Sequence, residues 1–227
     1  MPPLHGPVSF IDPLIDAIEK YLFNCFDPEP TIGCFRSPLV SHDMRTCEDI
    51  AAFLSRQSHV VSLLRPVAAL RIPDCWIGAG LIRNAIWNYL HGLPLELIAG
   101  SDVDVVYCDH SDASLERDLA IERRLLNEFS DVLWSVHNQA RMHERNGDAP
   151  YRNTTDAIRC WPETATAIAA RIFGDNVQII APHGVGDLVS MIVRPSPVFA
   201  RKPAIYRSRL AAKDWAKRWP RLQFIDG

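Results

Sequence analysis

The sequence predicts an α/β (α+β) protein, a mixed β-sheet with helices on one face, and three observations carry that prediction. Short runs rich in valine, isoleucine and aromatic residues recur as CWI, DVDVVY and DVLWSV. Helix-periodic segments separate them, and the connections are compact. The order β-α-β-α-β follows.

The first two helices are expected over residues 49–70, from CEDIAAFLSRQSHVVSLLRPVAAL, with Ile50, Phe53, Leu54, Val61, Leu64 and Val67 as the apolar face. Pro66 is read there as a break, since proline removes a helical N–H. Next, DCWIGAGLIRNAIWNYLHG reads as a strand at Cys75 to Ile77, a Gly78-Ala79-Gly80 turn, and a helix ending at Gly92. After the loop LPLELIAGS, Asp102 to Tyr107 alternates and then turns wholly apolar, as a strand entering a core does. A charged helix carrying Leu115, Leu119, Leu125, Leu126 and Phe129 leads to the third strand, DVLWSVHNQ.

Beyond Tyr151 the pattern predicts a mainly helical extension over residues 151–227: an alanine-rich helix from Glu163, a strand at NVQIIAP, a helix over HGVGDLVSMIV stopped by Pro195, and a final helix over YRSRLAAKDWAKRWPRL. Residues 71–150 form the core, and residues 1–48 an arm of uncertain structure in which IDPLIDAIEKYLF has helical spacing. No repeat or low-complexity segment interrupts the chain.

With 227 residues, 48% hydrophobic and 22% charged, the chain has enough sequence for a large core without disulfides. Six cysteines without a CxxC or Cys/His cluster fit thiols in a reducing cytosol better than a zinc site or cystine scaffold. The N-terminus lacks the charged and apolar regions of a secretory leader, and no run is long enough to cross a bilayer, so a soluble cytoplasmic protein is expected. A formal net charge of -3 gives no strong nucleic-acid signal and favours a small substrate.

The chemistry-bearing feature is SDVDVVYCD. Residues two apart in a strand share a face, so Asp102 and Asp104 converge while Val103 and Val105 face the other way. Two unpaired carboxylates repel, and a divalent cation relieves that repulsion; oxygen ligands suit Mg²⁺ or Mn²⁺ held with substrate phosphates. The competing interpretation is a pair of acids on an exposed strand. The Gly78-Ala79-Gly80 turn weighs against it, because a helix N-terminus with free backbone N–H groups receives phosphate.

The blocks WIGAGLIRNAIWNYLHG, SDVDVVYCD, WSVHNQARMH, DAIRCWPETATAIAARI and APHGVGDLVSMIVRP, with the closing YRSRL-K-W-RWP-L, resemble a bacterial nucleotidyltransferase-like family in the DNA polymerase beta superfamily. The resemblance covers roughly residues 50 to 222. It implies a polymerase-beta-like palm in which Gly78, Ala79 and Gly80 stand at the phosphate-binding turn and Asp102 and Asp104 ligate Mg²⁺ or Mn²⁺. The implied reaction transfers NMP from a nucleoside triphosphate to an unknown acceptor hydroxyl.

In the wider superfamily the glycine motif lies closer to the first acid than Gly80 lies to Asp102. The family also implies a third carboxylate where this chain has Ser135, and serine cannot supply its charge. A nucleotide-binding or regulatory domain without turnover is therefore the alternative, and a purely structural role the third. His137 shares the strand face of Ser135, and Asp109 or Asp131 could approach.

Arg83 and Asn84, one turn into the helix, are candidates for phosphate or ribose, and Asn138, Gln139 and Arg141 for base or phosphate. Local capping and packing compete with each of these roles. His143, His183, Tyr151 and Arg152 read as structural first. Arg207, Arg209, Lys213, Lys217, Arg218 and Arg221, beside Trp215 and Trp219, read as a solvated basic helix, or as a phosphate attractor if one face turns to the cleft.

Overall fold

A computed structural model of the protein describes residues 44–97 and 100–226. The expected arm, with its helical IDPLIDAIEKYLF, lies outside the described residues as far as residue 43. Helix α1 (Cys47–Ser55) opens with a capping box in which Thr46 and Asp49 satisfy each other's backbone amides. Helix α2 (Ser58–Ala69) runs straight through Pro66. The break falls instead at Arg56 and Gln57, whose amides fold back on Phe53 and Leu54. That turn lets Ile50, Phe53 and Leu54 of α1 and Val60, Leu63 and Leu64 of α2 enter one core, so packing placed the break and the proline is tolerated on a buried helix face.

The main sheet has the order β3-β2-β1-β4-β5 and is mixed. Strands β1 (Cys75–Gly78), β4 (Ala169–Phe173) and β5 (Asn176–Ile180) pair antiparallel, as do β1 and β2 (Asp102–Tyr107). Strand β3 (Leu133–Asn138) lies parallel to β2, connected by the crossover helix α4 (Leu115–Glu128). Between β1 and β2 runs α3 (Gly80–His91), closed by Gly92 in the left-handed conformation at φ 67.

One sheet face, with Ile77, Val103, Val105, Tyr107, Trp134 and Val136, packs into the main core with α1, α2, α3 and α4. Its opposite face carries the smaller cluster of Trp76, Val106, Ile158, Ala167 and Ala169, partly covered by Trp161. Helices α5 (Gln139–Asn146) and α6 (Thr154–Arg159) lead to that cover.

The alanine-rich helix expected from Glu163 is absent. A 3₁₀ turn spans Thr164–Thr166, and Ala169 and Ala170 belong to β4. Alanine's helical preference is a fraction of a kcal/mol per residue, roughly. A central strand flanked by β1 and β5 and covered on both faces outweighs it, and both alanines are fully buried there. The expected helix stopped by Pro195 is likewise only one turn, α7 (Gly186–Val189), before Met191 turns at φ 58 and β6 (Ile192–Val193) begins. Strand β6 pairs in parallel with β7 (Gln223–Phe224).

The closing basic segment is two helices, α8 (Pro203–Lys213) and α9 (Trp215–Arg218), divided at Asp214 with φ 45. Beyond the division, Trp215 and Trp219 pack edge-on against Trp87 of α3, at 5.5 and 5.1 Å, and the Trp219 indole donates to Asn88. No helix among the described residues is long and apolar enough to cross a membrane.

Candidate active site

The strand register assembles the candidate site. Asp104 lies opposite Ser135 on β3, and continuing the β1–β2 register from Ile77↔Val105 sets Gly78 beside Asp104 on the other side. Gly78 in turn pairs with Ala169. A cross-sheet row of Ser135, Asp104, Gly78 and Ala169 results. The next row on the same face is His137, Val106 and Trp76, and Asp102 stands at the open end of β2.

Each small residue of the Gly78-Ala79-Gly80 turn has a spatial reason. A Cβ on Gly78 would lie 2.5 Å from the Trp161 ring, so glycine there admits the indole against the sheet. At Ala79 the chain adopts φ 25 and ψ -91, a strained turn for a residue with a side chain, and the Ala79 amide donates to Ile168 at 2.9 Å. Gly80 then starts α3 directly against β2, where a Cβ would be 3.8 Å from the Asp102 carbonyl oxygen. Whereas α1, α4, α5 and α6 begin on the side chains of Thr46, Ser114, Asn138 and Asn153, α3 has no side-chain cap. Its first-turn amides, next to the start of β2, carry partial positive charge.

Burial, and next the charge of Asp102, push the Asp104 carboxyl up to about 7. Three cations act against that rise: Lys213 and Arg209 from α8, and Arg83 from α3. Arg83 is buried, its guanidinium donating to Asn84 Oδ1 at 2.7 and 3.1 Å and stacked 4.7 Å over Trp215. Desolvation pulls it down to about 10, and desolvation also lowers Lys213. Arg209 is held by Glu163, a fully buried carboxylate that accepts from Arg209 Nε at 2.7 Å and from Thr166 Oγ1 at 2.7 Å.

Sequence reasoning preferred a solvated basic helix and so missed Arg209 and Lys213, although their spacing of four puts them on one helix face. Glu163 was read only as a helix start. It is the one acid in an otherwise small and apolar stretch.

Asn138 and Arg141 are not brought to the acids. Asn138 stands at the other end of β3, fully buried; its Oδ1 accepts from Asp109 and Ala140 amides, and its Nδ2 donates to the Asp109 and Asp112 carbonyls. Arg141 pairs with buried Asp118 and donates to the Ala113 carbonyl. Asp109 is bonded to Arg117 at 2.7 Å and to Ser111, while Asp131 is exposed and accepts from Ser130. Gln139 donates to the His137 carbonyl, and His143 and His183 bond to the Ala140 and Arg159 carbonyls. Tyr151 is buried, its hydroxyl donating to Asp148 and accepting from Asn146, and Arg152 forms an exposed pair with Asp156. These are local structural roles.

Asp102 and Asp104 offer oxygen ligands on one strand face, and the raised Asp104 is a group that a bound dication returns to its charged form; both features suit Mg²⁺ or Mn²⁺. Among the described residues no three His, Cys, Asp or Glu side chains gather to hold a metal ion. The two acids therefore complete such a site only together with phosphate oxygens and water.

A nucleotidyltransferase family profile matches residues 65–224. A solution structure described as a CCA-adding enzyme head domain superposes with a TM-score of 0.72 at 28% identity, over 83% of this chain and 100% of that one. A CCA-adding enzyme bound to CTP aligns at a TM-score of 0.49 and 12% identity, over 80% of this chain and 43% of that one. For the Thermotoga maritima CCA-adding enzyme complexed with tRNA the figures are 0.49 and 11%, over 80% and 42%. The chain spans less than half the length of these two enzymes. No curated protein matches it significantly.

Proposed function

The chain belongs to the nucleotidyltransferase family, and on that premise we propose that it transfers NMP from a nucleoside triphosphate to an acceptor hydroxyl in a reaction that depends on Mg²⁺ or Mn²⁺. The single observation that carries this reading is the gathering of opposite charges: Asp102 and Asp104 on one strand face, with Arg83, Arg209 and Lys213 close enough for their charges to act on them. Acids alone repel a triphosphate, and cations alone bind any anion. Together they suit a metal–triphosphate complex, whose dication answers the carboxylates and whose phosphates answer the cations.

Asp102 and Asp104 would hold the dication, which supplies charge neutralisation at the transferring phosphoryl group. The uncapped first turn of α3 and the Arg83 guanidinium would orient the phosphates. Trp161 over Gly78 closes one side of the site against water.

Calorimetry with each of the four nucleoside triphosphates, with and without Mg²⁺ or Mn²⁺, tests the reading. Metal-dependent binding is expected, lost at least a hundredfold on Asp102→Asn with Asp104→Asn. Equal affinity in the doubly substituted protein would place the triphosphate elsewhere.

Ser135 favours a second reading, a nucleotide-binding domain that has lost turnover, because it stands beside Asp104 where the family resemblance implies a carboxylate. Pyrophosphate release separates the two. Binding without release, restored by Ser135→Asp, supports the second reading.

A further inference from the structure

The proton that leaves the attacking hydroxyl needs an acceptor, and among the described residues no third carboxylate gathers with Asp102 and Asp104. What the fold puts there is a pair of side chains. Ser135 is the register partner of Asp104, and its Oγ lies 3.0 Å from Nε2 of His137, one row further along the same face. Both side chains are half-buried.

We infer that Ser135 and His137 form a proton relay that takes the place of the third carboxylate. The inference rests on the transferase reading above. Ser135 Oγ receives the proton of the acceptor hydroxyl as that oxygen bonds to the α-phosphorus, and the proton of Ser135 passes to His137 Nε2. The bond from the α-phosphorus to the bridging oxygen breaks, and pyrophosphate leaves with its electron pair. Atoms and charges balance, with the imidazolium holding one proton until product release. Ser135 touches the acceptor; His137 acts through it.

The surroundings of His137 suit the role. Burial lowers its pKa below the ordinary 6.5, so the imidazole is neutral and ready to accept at neutral pH. The charged groups acting on it are Asp118 and Asp102, which favour the imidazolium, and Arg141 and Arg145, which oppose it. Serine without a basic neighbour has no such capacity.

Two measurements test the relay, with triphosphate binding followed by calorimetry throughout. The first is pyrophosphate release at saturating Mg²⁺ and triphosphate, with glycerol and a short RNA bearing a free 3′ hydroxyl as acceptors. His137→Gln should slow release by about 10²–10⁴-fold at unchanged affinity. Ser135→Asp added to His137→Gln should recover at least about tenfold, because a carboxylate needs no relay.

The second measurement is nitrogen NMR of His137 in the full-length protein. It should show Nδ1 protonated and Nε2 accepting, and Ser135→Ala should raise the His137 pKa by removing a bond to its neutral form. Wild-type release by His137→Gln, a protonated Nε2 in the neutral ring, or triphosphate binding with no release would each overturn the relay. A wild-type protein that binds no triphosphate would overturn the transferase reading first, and the relay with it.

Discussion

The two ends of the β2–β3 pair each hold a carboxylate, Asp118 buried and Asp104 half-buried, and they treat it in opposite ways. At the far end, Asp118 accepts from the Tyr107 hydroxyl at 2.6 Å, from the Asn138 amide at 3.1 Å and from the Arg141 guanidinium. Its charge is matched and its lone pairs are filled. At the near end, Asp104 has a second acid as neighbour, a serine across the strand, and cations that act on it through space. The satisfied buried carboxylate joins two helices and two strands. The half-buried one, beside a second acid, is held by the rest of the fold in a state that a ligand improves.

The largest effect should come from breaking the satisfied end. Asp118→Ala leaves a phenol, a backbone amide and a guanidinium without their acceptor, and should cost about 3–5 kcal/mol in urea unfolding. Triphosphate affinity of the folded fraction should be unchanged.

At the unsatisfied end the same kind of substitution should stabilise. The folded state raises the Asp104 pKa from 3.8 to about 7, so its carboxyl stays protonated in the folded chain where the unfolded chain has ionised. That group's contribution is fully present below pH 3.8 and is lost as pH rises toward about 7. Asp104→Asn, neutral at every pH, should match the wild type near pH 4 and exceed it by a few kcal/mol, roughly, at pH 8. A saturating dication should narrow the gap by stabilising only the wild type. Thermal melts across the pH range check both statements, and a variant less stable at pH 8 would mean that Asp104 is a satisfied group after all.

Cations sharpen the contrast further. Lys213→Met should weaken metal–triphosphate binding by about tenfold, near 1.4 kcal/mol. Arg117→Met, which removes a cation paired with Asp109 at the far end, should leave binding unchanged. Calorimetry on the two variants decides whether position or merely charge matters.

A steric check lies in the row of Asp104 itself. Gly78→Ala forces the Trp161 ring aside and should cost about 1–3 kcal/mol, with a shift in tryptophan emission reporting the movement.

Local pattern made the β-α-β-α-β core legible, because its strands alternate or run apolar over whole elements and its helices end at real signals, such as Gly92 after α3. After Tyr151 pattern found the strand at Asn176–Ile180 but misread its neighbours. The stretch around Ala169 has a helical composition and becomes a strand because the only place left for it is the slot between β1 and β5, and small residues fill that slot under Trp161. Asp214, in the left-handed region at φ 45, divides a closing helix that pattern read as one.

The acids show the same division. A strand's two-residue period was enough to put Asp102 and Asp104 on one face, and the glycine turn was enough to predict a helix starting beside them. Which of many cations would face them was beyond any periodicity, since Arg83, Arg209 and Lys213 come from segments up to 130 positions apart, roughly, and are gathered by packing. The pairing of Ser135 with Asp104, and the lean of His137 toward that serine, depend on strand register. Sequence alone determined the family, the core elements and the two acids, because these rest on short-range stereochemistry and on motifs in fixed order. Tertiary structure decided which polar groups have partners and which are left for a ligand, because satisfaction of a buried charge is a property of everything packed around it.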